Sequence, residues 1–206
     1  MGKLKITGNA KKEFKADAME ITITIATDGE TSAHALNKGK RETEKLLQLL
    51  VDIGIDLSSV TLKRDSVSGP GRYNDDKLYR FEKNICFMSD ANLTTLEMLS
   101  SGIIKDELNA TYTENFCLYN TENAKKEVLQ DALLDSKKEA EAIAETLGQK
   151  ITGIDCAKCD EYDDDDVELL KPKMCLQEGV GGSLATQLSP DMITIEKSID
   201  VSWIVE

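Results

Sequence analysis

The chain has 206 residues, 40% of them apolar and 31% charged, with a formal net charge of −13. That length and composition suit an ordinary globular protein with a real core, and no run reaches the ~18 to 20 apolar residues that a membrane helix requires. The acidic balance and the lack of any basic stripe argue against a nucleic-acid or anionic-membrane face, which must set clustered Lys and Arg against phosphates.

The start, MGKLKITGNA, enters a strand-like pattern at once and lacks the apolar core of a secretory signal. A cytoplasmic location is therefore expected, and a periplasmic or secreted one only for a trimmed chain. Ile6 stands where an N-myristoylation motif needs Ser or Thr. The five cysteines (Cys86, Cys117, Cys156, Cys159 and Cys175) are odd in number and scattered, which predicts reduced thiols.

KLKITGNAKKEF and MEITITIAT alternate with period two, with Ile21, Ile23 and Ile25 on one face, and are predicted to be the two strands of a hairpin. From about Thr31 the period turns helical. Ala33, Leu36, Thr43, Leu47 and Leu50 are placed on one face, and Gly54 supplies a left-handed cap. VTLKRDSVS and KLYRFEKNICFM read as strands joined across SGPGRYNDD, with Tyr79, Phe81, Ile85 and Phe87 in phase around Lys83. ANLTTLEMLSSGI reads as a short helix and NATYTENFCLYN as a strand.

In the next segment Ala124, Val128, Ala132, Ser136, Ala140, Ile143 and Leu147 recur at spacings of three and four, and Gly148 ends the helix. Small residues dominate that stripe, which predicts close approach of helix to sheet. ITGIDCAK resumes as a strand, and residues 160–189 lose all periodicity. The tail SPDMITIEKSIDVSWIVE sets Ile193, Ile195, Ile199, Val201, Trp203 and Val205 in phase as a long half-buried strand. Paired strands interleaved with helices predict an α+β fold, with largely antiparallel sheet packed by two long amphipathic helices and one short one.

The stretch AKKEVLQDALLDSKKEAEAIAETLG followed by KITGI resembles the SIMPL domain, a family named for a signalling molecule that associates with a Pelle-like kinase. ITGNA, ADAMEITITI, the first helix bearing Asn37 and ending at Gly54 and Ile55, and PDMITIEKSIDVSW extend the resemblance over the chain. It implies one domain over residues 1–206, with an irregular acidic and Gly-rich loop at about 160–189. The family includes bacterial periplasmic immunogenic proteins, often exported. Ala16 stands where relatives commonly have proline, and the acidic loop replaces one often rich in Pro, Ala and Met. No catalytic residues are implied.

The chemistry-bearing residues are few. His34 is the only histidine and reads as an exposed helix residue. GVGGS at 179–183 leads toward a strand, so it reads as a linker; a phosphate cradle opens a helix. DCAKCDEYDDDD is the sharpest feature: residues 155–168 hold eight acids against Lys158 alone, more than half of the net charge. Cys156, Cys159, Asp163 and Asp165 are the candidate metal ligands. Two thiols three apart on one strand project from opposite faces, however, and Asp160, Tyr162 and Asp164 break the acidic order of a calcium loop. A solvated loop without metal is the expectation. The expected activity is that of a non-enzymatic interaction or structural module, self-associating through sheet edges, with no cofactor and with protein partners. The alternatives are a metal-binding module using Cys156, Cys159 and the acidic loop, or an enzyme of unrecognised type.

Overall fold

The computed structural model describes residues 2–70, 78–159, 167–169 and 192–206. In chain order the elements are β1 (Gly2–Lys15), β2 (Ala18–Gly29), α1 (Ser32–Asp52), a 3-10 turn (Leu57–Ser59), β3 (Thr61–Ser68), β4 (Tyr79–Asp90), α2 (Leu93–Lys105), β5 (Ala110–Cys117), α3 (Thr121–Thr146), β6 (Ile151–Cys159), β7 (Val167–Leu169) and β8 (Met192–Val205). The fold is α+β, and the described residues form two antiparallel four-stranded sheets, two long helices and one shorter one. The contacts divide the chain into two compact units: the first holds β1, α3, β6, β7 and β8, and the second holds β2 to β5 with α1 and α2.

In the first unit β8 is the central strand. β1 pairs with it along its whole length, from Gly2 opposite Val205 to Lys15 opposite Met192. With that edge filled, β6 and β7 lie end to end along the other. β7 falls inside the stretch expected to be irregular, where Val167–Leu169 match Ile193–Ile195 in register. All six in-phase apolar residues of β8 are buried, and each contributes about 1.5 to 3 kcal/mol on leaving water.

Helix α3 covers that face with Ala124, Val128, Ala132, Ser136, Ala140 and Ala144. The expected stripe needs correction at its end. Ile143 is only half buried and Leu147 is 62% exposed, because the buried line advances in steps of four and Ala144 takes the last place. A Cβ at Gly8 would lie 2.0 Å from the Ala132 carbonyl oxygen, so the helix backbone rests directly on β1. Ser136 accepts a hydrogen bond from the Trp203 indole N–H at 3.0 Å, which satisfies both buried polar groups.

The second unit has strand order β3-β4-β2-β5. β1 and β2 are therefore not a hairpin, since β2 pairs with β4 and β5. Ala16 and Asp17 between them lack the positive φ that a tight two-residue turn needs. Met19, Ile21, Ile23 and Ile25 of β2 meet Leu46, Leu49 and Leu50 of α1, Phe81, Ile85 and Phe87 of β4, and Leu99 of α2. Lys83 interrupts the β4 pattern as expected, half buried and paired with Asp65 at 2.9 Å.

The buried line of α1 is Ala35, Gly39, Glu42, Leu46, Leu49 and Leu50. The expected face is displaced: Ala33 is exposed, and Leu36, Thr43 and Leu47 are half buried. Two residues that no apolar count selects explain the shift. Gly39 admits the Phe81 ring, which a Cβ there would approach to 2.0 Å. Glu42 is buried because its carboxylate accepts the Asn109 backbone N–H at 2.9 Å.

The three α-helices among the described residues close alike. At the end of α1 the Ile55 N–H reaches the Leu50 carbonyl, at α2 Leu108 reaches Ile103, and at α3 Gln149 reaches Ala144. This bond pattern requires a left-handed residue after the cap. Gly54 (φ +87°) and Gly148 (φ +67°) fill that place as expected, and Glu107 (φ +49°) fills it in α2.

Candidate functional site

Cys156 and Cys159 both lie on β6, exposed and unbridged. From Cys156 to Cys159 the register with β8 runs without a break, Cys156 facing Ser202 and Cys159 facing Ile199. The pleat therefore sends the two thiols to opposite faces. Asp155 is committed to Lys3 at 2.7 Å. Asp163 and Asp165 lie outside the described residues. Among the described residues no three Cys, His, Asp or Glu side chains gather to hold a metal ion.

The strand register builds a different constellation on the sheet face turned away from α3. One row across the three strands reads Lys5, Ser202, Cys156, and the next reads Thr7, Asp200, Lys158. These residues, with Asp155, line an open depression of about 510 Å³. The Thr7 hydroxyl donates to the Asp200 carboxylate at 2.6 Å. Ser202 is 9% exposed, and its hydroxyl has no hydrogen-bond partner among the described residues. Lys5 and Lys158 likewise make no ion pair or hydrogen bond among the described residues. Sequence reasoning missed this group because β1, β6 and β8 lie far apart in the chain. Strand alternation does mark Lys5 and Ser202 as facing away from apolar neighbours, but only pairing register, with its break between Ile154 and Cys156, brings Cys156 beside them.

The remaining nucleophilic candidates are placed for other work. His34 is exposed in the first turn of α1, where its backbone N–H donates to the Thr31 hydroxyl at 3.1 Å. The Cys86 thiol donates to the Glu20 carboxylate at 3.0 Å, and Lys63 approaches that carboxylate at 3.8 Å. Burial, then the Glu20 bond, pushes the Cys86 thiol above its ordinary range, and burial pushes Cys117 up as well. Both shifts disfavour thiolate, so neither sulfur is activated for attack. GVGGS at 179–183 lies outside the described residues. No helix among the described residues is long and apolar enough to cross a membrane.

The two antiparallel sheets and the Ala-rich helix on β8 complete the pattern that the segments suggested. A family model described as SIMPL, a protein of unknown function, matches residues 4–203. The chain belongs to the SIMPL family. No curated protein matches this SIMPL chain. Among solved structures, a protein from methicillin-resistant Staphylococcus aureus provisionally called an aminohydrolase is 15% identical, with a TM-score of 0.23. That match covers 61% of this chain and 36% of the other, so the SIMPL chain spans little more than a third of its length. An unknown protein from Galdieria sulphuraria is 6% identical, with a TM-score of 0.25, covering 89% of this chain and 82% of that one. At such scores neither likeness bears on activity.

Proposed function

We propose that this SIMPL chain is a non-catalytic interaction module that self-associates by adding strand β5 of one copy to β5 of another. The observation that carries the reading is the composition of the sheet edges. Among the described residues β5 ends the second sheet and pairs on one side only, with β2. Its sequence ATYTENFC has a single charge, Glu114. The other outer strands carry the charges that deter pairing: Lys3, Lys5, Lys11, Lys12 and Lys15 on β1, Lys63, Arg64 and Asp65 on β3, Asp155 and Lys158 on β6. Two β5 strands meeting antiparallel join two four-stranded sheets about a two-fold axis, and the contact is closed and self-complementary.

Sedimentation velocity on the wild type and on a Thr111→Lys, Thr113→Lys variant tests this. Both threonines are exposed, so the variant keeps its fold and places charge on the proposed contact. The expected result is a dimer that the double substitution converts to monomer. A wild type that stays monomeric at tens of micromolar, or a variant that still dimerises, contradicts the proposal.

A further inference from the structure

The outer face of the first sheet carries polar groups that its own neighbours leave unsatisfied. Buried hydroxyls ordinarily find a partner, and one that does not requires an explanation. The Ser202 hydroxyl is such a group, set mid-sheet between Lys5 on one side and Cys156 on the other. Lys5 and Lys158 stand on the two strands that flank β8, in adjacent rows, and so roughly 12 Å apart at the backbone given the ordinary strand spacing and rise. Their flexible four-carbon stems allow both ammonium groups to lean over Ser202. The other charges in the depression are partly answered: Asp155 by Lys3 at 2.7 Å, and Asp200 by the Thr7 hydroxyl at 2.6 Å. The depression is lined by two lysines and two aspartates, and since Lys3 from outside it neutralises Asp155, Lys5 and Lys158 are left facing the single carboxylate of Asp200.

We infer that this depression binds a phosphate monoester group, held by the Lys5 and Lys158 ammoniums and by the Ser202 hydroxyl as a third donor. Two point charges match a dianion better than a single carboxylate, and the hydroxyl adds a directional bond. At about 510 Å³ the depression has room for more than the anion, so the phosphate is one end of a larger small molecule. The Asp200 carboxylate opposes the anion and keeps the site selective for ligands that make all three contacts. This site is independent of β5 association, and the assay below is run on dilute protein.

Cys156 shares the row with Ser202 and reports occupancy, while Cys159, on the opposite face of the same strand, is an internal reference. Alkylation by iodoacetamide is followed at both cysteines by peptide mass, at matched ionic strength, with glycerol phosphate, inorganic phosphate, acetate or chloride. The expected result is about tenfold slower alkylation of Cys156 in saturating glycerol phosphate, equivalent to about 1.4 kcal/mol, with Cys159 unchanged. Inorganic phosphate protects at higher concentration, and acetate and chloride do not protect. A Lys5→Gln, Lys158→Gln variant, its fold confirmed by unchanged Trp203 fluorescence, loses the protection, and Ser202→Ala weakens it. Equal slowing at both cysteines, no slowing, protection that survives the lysine substitutions, or equal protection by acetate overturns the assignment.

Discussion

The two units are both helix on antiparallel sheet, yet their cores are built from residues of different size. In the first, Gly8, Ala132, Ala140 and Ser136 bring helix and strand backbones together, and Ile199, Val201 and Trp203 pack around that contact. In the second, Leu46, Leu49, Leu50, Phe81 and Phe87 hold helix and sheet apart with interlocking side chains. The difference is one of compliance at the point of contact: where Gly8 meets the α3 backbone there is no side chain to move aside, whereas an interface of large side chains can repack.

Substituting the close-approach glycines sharpens this contrast most. Gly8→Ala sets a methyl against a helix carbonyl, whereas Gly39→Ala sets one against the Phe81 ring, which can shift. Gly8→Ala is expected to cost about 3 kcal/mol and Gly39→Ala about 1 to 2 kcal/mol, within the range for overpacked cores. Urea unfolding followed by Trp203 fluorescence for the first unit and by circular dichroism for both reads the difference. Equal losses break the comparison.

Next in size is the buried polar pair. Ser136→Ala strands the Trp203 N–H and is expected to cost about 1 to 3 kcal/mol. The same unfolding experiment measures it, and an unchanged midpoint removes the pair from the account. The α2 cap is smaller and opposite in sign. Glu107→Gly relieves a left-handed non-glycine residue and is expected to stabilise by about 0.5 to 1 kcal/mol, read as a rise in the thermal midpoint.

The smallest effect is one of pH and belongs to the second unit. The Cys86 pKa is raised in the folded state, first by burial and then by Glu20. The folded protein therefore holds this proton more tightly than the unfolded chain does. Its contribution is complete at neutral pH and fades as pH climbs through the folded-state value. Urea midpoints from about pH 7 to about pH 10 are expected to fall less steeply in Cys86→Ala than in the wild type. Parallel slopes contradict the assignment.

Much of this architecture was legible because it is periodic. The β8 tail shows its six buried residues by alternation, and Gly54 and Gly148 mark helix ends by the conformation they alone adopt without strain. What periodicity conceals is anything decided by a partner. Glu42 and Gly39 are buried for the sake of Asn109 and Phe81, so an apolar count displaces the α1 face. The β1–β8 pairing joins the two ends of the chain, and no local turn signal announces it. The row of Lys5, Ser202 and Cys156 inherits that difficulty, whereas the divergence of Cys156 and Cys159 needed only the strand period.

The sheet edges carry the contrast into function, since β1 is crowded with lysines and β5 bears one charge. Hydrogen exchange compared between dilute and concentrated protein tests the central claim most directly. The account predicts that amides within Ala110–Cys117 become more protected as concentration rises, while those of Gly2–Lys15 do not change. Protection that is independent of concentration in β5, or that grows in β1 instead, contradicts it.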